Sequence, residues 1–169
     1  MTLPSSSQWL GGVLIALLLL GFALHRDTEI QTDIWIDRPP GDVWQILTAT
    51  SEYPSWNPFI RHLRGELHEG SRIEVEIAPP DSHPMILRPI VITVQRDREI
   101  RWVGSFWLRG LFDGEHSFRL ESDGRRTRLI QAERFSGSLV GRLSDGILRQ
   151  AQRRFVGMNE ALKERAESR

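Results

Sequence analysis

His116 and Glu133 are the two side chains in this chain best suited to act together as chemical groups. From Glu115 to Ser122 the residues alternate: His116, Phe118 and Leu120 share one face, and Glu115, Ser117, Arg119 and Glu121 share the other. Charges belong in water, so the face carrying His116 turns inward. Thr127 to Ser136 behaves in the same way. Leu129, Gln131, Glu133 and Phe135 lie on one face, and Arg128, Arg134 and Ser136 lie on the other with Ile130 and Ala132. If Leu129 and Phe135 are inside, Gln131 and Glu133 are inside with them. Arg88 falls on the face of Ile86, Ile90 and Ile92 and brings a guanidinium to the same interior. A carboxylate in apolar surroundings must be paired or neutral, because burying it alone is costly. Arg88 and His116 are the partners to look for. Such a group is either a satisfied network that fixes the register of a sheet, or an acid–base pair that exchanges a proton with a bound molecule.

Other reactive arrangements are missing. There is no HExxH, no phosphate-binding loop, no GxSxG and no dinucleotide glycine fingerprint. His62, His68, His83 and His116 are scattered without ligand spacing, so neither a metal nor another cofactor is expected. The chain has no cysteine, which excludes disulfides, thiolate metal sites and a cysteine nucleophile. Lys plus Arg and Asp plus Glu both number 22, so no overall field draws nucleic acid, and no nucleic-acid partner is expected. Basic residues cluster at Arg125-Arg126-Thr127-Arg128 and from Arg149 to Arg154. The first cluster reads as a solvated hairpin end or as a contact for anionic lipid headgroups.

The elements that must position His116 and Glu133 follow from periodicity. At 169 residues, 40% of them hydrophobic, the chain makes one domain with a real core plus an N-terminal appendage. Residues 1–27 form the appendage and 28–169 the domain. The first 24 residues carry no charged side chain, and Trp9 to Leu24 is a 16-residue apolar run, at the short end of what spans a bilayer core. It is apolar on every face and lacks the basic start of a secretory signal, so a single-pass membrane anchor is expected. Arg26 is the first cation and lies after the run, which leans the domain slightly towards the cytoplasm.

Thr28 to Asp37 alternates as a half-buried strand, with Ile30, Thr32, Ile34 and Ile36 on one face. Pro40 suits the first turn of a short helix carrying Val43, Trp44, Ile46 and Leu47. Tyr53-Pro54-Ser55-Trp56-Asn57-Pro58-Phe59 is too rich in proline for a long element and reads as a tight corner. Its rings either plug one end of the core or, through Trp56 and Phe59, line the mouth of a pocket. Strands are expected at 61–67, 72–77, 85–94, 99–107, 115–122 and 127–136, with Asp123-Gly124 turning the last hairpin. Pro89 pushes its part of the 85–94 strand towards an edge or a bulge. Leu139, Leu143, Ile147, Ala151, Phe155, Met158 and Leu162 then draw one apolar stripe along a helix predicted over 138–164. At 1.5 Å per residue it is about 39 Å long, so it needs a curved sheet to lie against. Gly141, Gly146 and Gly157 interrupt it, through fraying or close packing, or to leave room between helix and sheet.

Several stretches carry a family resemblance. Val43-Trp44 with Tyr53-Pro54-Ser55-Trp56-Asn57-Pro58-Phe59-Ile60 is similar to the start of the polyketide cyclase/dehydrase branch of the START-related superfamily (SRPBCC). Gly110-Leu111-Phe112-Asp113-Gly114-Glu115-His116-Ser117-Phe118, Glu133-Arg134-Phe135-Ser136-Gly137 and Met158-Asn159-Glu160-Ala161-Leu162-Lys163 resemble further signatures. The likeness covers about residues 29–166. It implies an α+β helix-grip fold: a curved seven-stranded antiparallel sheet wrapped around a long C-terminal helix. It also implies a cavity between sheet and helix for lipids, polyketides or other apolar molecules, lined here by Ile90, Trp102, His116, Phe118, Gln131, Glu133, Phe135, Phe155 and Met158, with Arg88 as a polar member. In such a cavity the His116 and Glu133 pair would be a polar anchor, and a cyclase or dehydrase reaction is the competing expectation. The partners expected are an apolar small molecule and, through the N-terminal segment, a membrane. Trp107 to Gly114 is apolar where a connection is normally polar. It either packs locally or gates the cavity, with Gly110 and Gly114 as hinges.

Overall fold

The computed structural model describes residues 25–77, 83–105, 108–143 and 145–168. The first 24 residues of the expected anchor, and Trp107 of the expected gate, lie outside the described residues. Among the described residues no helix is long and apolar enough to cross a membrane.

The chain opens with β1 (Arg26–Ile36), two residues ahead of the expected boundary at Thr28. Its alternation buries Ile30, Thr32 and Ile36. Helix α1 (Pro40–Thr48) begins on Pro40, whose missing N–H costs nothing in a first turn, and it buries Val43, Trp44, Ile46 and Leu47. A 3₁₀ turn (Thr50–Glu52) leads into α2 (Tyr53–Trp56), a single turn, as the prolines of this stretch dictate. Strands β2 (Ile60–Arg64), β3 (Glu74–Ile77), β4 (Met85–Leu87), β5 (Ile90–Gln95), β6 (Glu99–Ser105), β7 (Asp113–Asp123) and β8 (Arg126–Gly137) follow. Helix α3 (Asp145–Glu167) closes the domain.

Among the described residues eight strands form two antiparallel sheets, ordered β1-β8-β7-β6-β5 and β2-β3-β4, rather than one sheet of seven. Pro89 is the reason. The apolar run from Met85 breaks at Arg88-Pro89, so β4 pairs with β3 while β5 pairs with β6. Proline has no N–H for the ladder, and its carbonyl instead accepts from Ile73 N–H at 3.0 Å, while Val91 N–H donates to Ser71 O at 2.9 Å. These bonds and an Arg72–Ile90 bridge join the two sheets.

The same break reverses the expected phase of this run. Ile86, Ile90 and Ile92 are exposed by 48, 40 and 38%, and Val91 is fully buried. Arg88 lies on the surface, its guanidinium 3.0 Å from Glu74. Arg88 and Ile90 therefore leave the expected cavity lining. A wholly apolar run has no alternation to set its phase, and the pairing of Val91 with Trp102 sets it instead.

Helix α3 begins seven residues later than the predicted Ser138. Gly137 leaves β8 with φ +132°, and Val140–Arg142 forms a 3₁₀ turn that buries Val140. The helix then buries Phe155, Met158, Asn159, Leu162 and Ala166. Each large apolar side chain among these contributes about 1.5–3 kcal/mol. The stripe fails at its N-terminal end, where Ile147 is 53% exposed. Gly157 would have nothing within 4 Å of an added Cβ, so close packing is not its role. The C-terminal end is clamped. Arg38 donates from Nε to Ala166 O at 3.1 Å and from Nη2 to Glu167 O at 3.2 Å. Glu167 Oε1 accepts from Asp37 N–H at 2.7 Å and from Lys163 Nζ at 2.6 Å, and Lys163 also reaches Trp35 O at 2.7 Å.

Candidate functional site

His116 of β7 and Glu133 of β8 are directly opposite in the antiparallel register. Both face α3. His116 Nδ1 lies 2.5 Å from Glu133 Oε2, a charge-assisted contact between side chains that are 6 and 18% exposed. A carboxylate can only accept, so Nδ1 carries the proton and Nε2 is left facing inward. There Gln131 Nε2 sits 3.2 Å away, and it also lies 3.5 Å from Met158 Sδ. With the amide turned this way His116 is neutral and Nε2 accepts from Gln131. Turning the amide over would present Oε1 to Nε2–H and suit the imidazolium.

Aromatic rings enclose the pair. Trp102 of β6 stacks on His116 with centroids 5.0 Å apart and planes 9° apart. Phe118 and Phe155 meet the imidazole edge to face at 4.8 and 5.1 Å. The wall is therefore apolar, and Gln131, fully buried, leaves its Oε1 there without a hydrogen-bond partner. Acid–base chemistry, or recognition of a hydrogen-bond donor, is what such a group can perform.

Of the residues expected to line a cavity, Trp102, His116, Phe118, Gln131, Glu133, Phe155 and Met158 come together on the inner side of the sheet. Phe135 lies beyond Glu133, half-buried, with its ring 5.6 Å from Phe112. Trp56 and Phe59 are half-buried at the α2 corner. Phe59 approaches Phe155 at 5.9 Å, and Trp56 meets Tyr53 edge on at 5.1 Å. Depressions of 240 and 290 Å³ lie on the opposite face of the five-stranded sheet and are lined mainly by charges such as Glu115 and Arg134. They are too polar for an apolar site. Among the described residues no group of three His, Cys, Asp or Glu is placed to hold a metal ion.

Sequence reasoning missed three contributors. Gly114, a hinge only in the gating alternative, lies within β7, where an added Cβ would stand 2.5 Å from Glu133 Oε1. Its missing side chain is the space that the carboxylate fills. Asn57, 2% exposed, fixes the corner by accepting from Phe59 N–H at 2.9 Å and Ile60 N–H at 2.8 Å. Asn159 breaks the apolar stripe and donates to Thr32 Oγ1 at 2.9 Å, tying α3 to β1. The proline on either side of Trp56-Asn57 was a signal for the corner. Nothing local pointed to Gly114. The expected gate is stitched down in part: Ser138 N–H donates to Gly110 O at 3.2 Å and Leu139 N–H to Leu111 O at 3.0 Å.

Known proteins place the fold. A START superfamily protein from Mycobacterium smegmatis is 16% identical with a TM-score of 0.66, covering 83% of this chain and 97% of its own. The Zhui aromatase/cyclase from Streptomyces sp. R1128 is 15% identical with a TM-score of 0.62, over 84 and 94% of the two chains. Norcoclaurine synthase from Thalictrum flavum, solved with dopamine and hydroxybenzaldehyde, is 10% identical with a TM-score of 0.64, over 89 and 92%. A search of curated proteins finds no sequence match. These likenesses establish the helix-grip architecture, and residues 27–167 match the family described as polyketide cyclase / dehydrase and lipid transport, to which this chain belongs.

Proposed function

We propose that the domain binds an apolar small molecule between the inner face of the five-stranded sheet and α3, with His116 and Gln131 as its polar end. One observation carries this reading: the unpaired Gln131 Oε1 is buried among aromatic rings beside a histidine held by a carboxylate. An unsatisfied buried acceptor costs about 1–3 kcal/mol, and a ligand hydroxyl or N–H reaching Oε1 would remove that cost. The family's lipid-transport description and the aromatase/cyclase among its structural neighbours support an apolar ligand. The rings around His116 are in mutual contact, so binding requires Phe155 and its neighbours to move aside. Mass spectrometry of small molecules co-purifying with the full chain tests the reading. Apolar compounds are expected, and Gln131→Leu should lose them; a chain that carries none and takes up none when offered lipid extracts would overturn it.

A second reading is favoured by the His116–Glu133 contact alone. The carboxylate fixes the imidazole tautomer and leaves Nε2 inward as a base, as a cyclase or dehydrase would require. Turnover by the native chain that His116→Gln abolishes, with ligand still bound, would select it.

We also propose that residues 1–27 tether the domain to a membrane, slightly favouring the cytoplasmic side. The uncharged stretch to Leu24 and the cation at Arg26 support this. Release of the full chain from membranes by high salt alone would end that proposal.

A further inference from the structure

The corner between α2 and α3 collects hydrogen-bond donors that have no acceptor. Trp56 Nε1, Asn57 Nδ2 and Arg154 Nε are each buried and unpaired, and Asn57 as a whole is only 2% exposed. The Asn57 carbonyl oxygen is already used by Phe59 and Ile60, so its amide nitrogen is what remains to be satisfied. The Arg154 guanidinium carbon lies 5.9 Å from the centre of the Phe59 ring, which places the cation against the same corner. Among the described residues Arg154 forms no ion pair.

Cations outnumber carboxylates on the two segments that meet here, and the carboxylates beside them are engaged: Glu52, ahead of Tyr53, pairs with Arg165, and Glu74 pairs with Arg64. No carboxylate occurs from Tyr53 to Gly65, which contains Arg61 and Arg64, or from Gly146 to Asn159, which contains Arg149, Arg153 and Arg154. The chain as a whole is neutral, so this is a local surplus. Three donors without acceptors, one of them a guanidinium, are the complement of an oxyacid, whose oxygens only accept. Phe155 joins this corner to the inner site, since its ring touches Phe59 on one side and His116 on the other.

Building on the apolar-ligand reading, we propose that the ligand is an amphipathic acid. Its carboxylate or phosphate is held by Trp56, Asn57 and Arg154, and its apolar body runs inward past Phe155.

The test is calorimetric titration of the full chain in zwitterionic nanodiscs, referenced to empty nanodiscs, with dodecanoate, dodecyl phosphate and dodecanol. At least one acid should bind about tenfold tighter than the alcohol, the effect of a charge-assisted hydrogen bond. The stronger of the two acids identifies the headgroup. Arg154→Gln should remove that margin and leave dodecanol binding as it was. Trp56→Phe, which keeps an aromatic ring and deletes the donor, should narrow the margin and serves if Arg154→Gln does not fold. Equal affinity for all three compounds, or a margin that survives both substitutions, would overturn the acid while leaving the apolar-ligand reading intact. No binding of any of the three would overturn the reading beneath it as well.

Discussion

A Cβ placed on Gly114 would stand 2.5 Å from Oε1 of Glu133, so the bare backbone of one strand and the carboxylate of the next are a single feature. Glu133 keeps its oxygen at His116 only because residue 114 has no side chain. Gly114→Ala should therefore push the carboxylate off the imidazole and destabilise the domain by about 1–3 kcal/mol, the usual range for overpacking. Urea denaturation would measure the loss. A Gly114→Ala chain as stable as the native one would show that the carboxylate can sit elsewhere at no cost.

Truncating Glu133 tests the pair from the other side. Glu133→Ala leaves His116 Nδ1–H without its acceptor in a buried position, with an expected loss of about 1–3 kcal/mol. Glu133→Gln retains an oxygen that can accept from Nδ1 and should lose less. If both variants are equally unstable, packing of the side chain matters and the hydrogen bond does not.

The clamp on α3 should be sensitive to acid. The Asp37 N–H, followed by Lys163, holds the Glu167 carboxyl below the ordinary glutamate range. A lowered folded-state pKa contributes stability above the ordinary value, about 4.3, and that stability is lost as pH falls through the lowered one. Protection against amide exchange at the last turn of α3, taken relative to the intrinsic rate at each pH, should fall below about pH 4.3, and Glu167→Gln should show the lower protection at neutral pH already. The side chain is 30% exposed, so screening keeps the effect local rather than global.

The loop before β7 separates into two kinds of apolar residue. Leu108 is 68% exposed, and Leu108→Ser should leave thermal stability unchanged. Phe112 rests on Phe135, and Phe112→Ser should lower stability by about 1–3 kcal/mol through lost ring contacts and burial. Thermal melts of the two variants distinguish a loop that is packed from one that is a free tip, for which neither change would register.

What the sequence disclosed tracks where side chains alternate with a cost attached. In β7 and β8 a one-residue slip would bury Arg119 and Arg134, so the inward set of His116, Phe118, Gln131 and Glu133 was legible from charge alone. The run 85–94 has nothing charged to expose except Arg88, and its phase was set by Pro89 and by pairing with β6, which no local pattern records. The helix stripe held from Phe155 to Leu162, where it faces the sheet, and failed where Gly137 and the following 3₁₀ turn redirect the chain. The roles of Asn159 and Gly114 are not legible locally, because each matters only through a residue distant in sequence, Thr32 for one and Glu133 for the other.

Helix α3 is fastened unevenly. Arg38, Asp37 and Trp35 grip its last turns, while its first three turns, from Asp145 to Arg154, bury no residue. It is thus a lever with its fulcrum at the carboxyl end. Any swing that parts Phe155 from His116 moves the amino end furthest and leaves the grip at Arg38 intact. If the proposed ligand binds, its way in would lie beneath the amino end, past Phe59, and the domain could open and reshut without unzipping a strand.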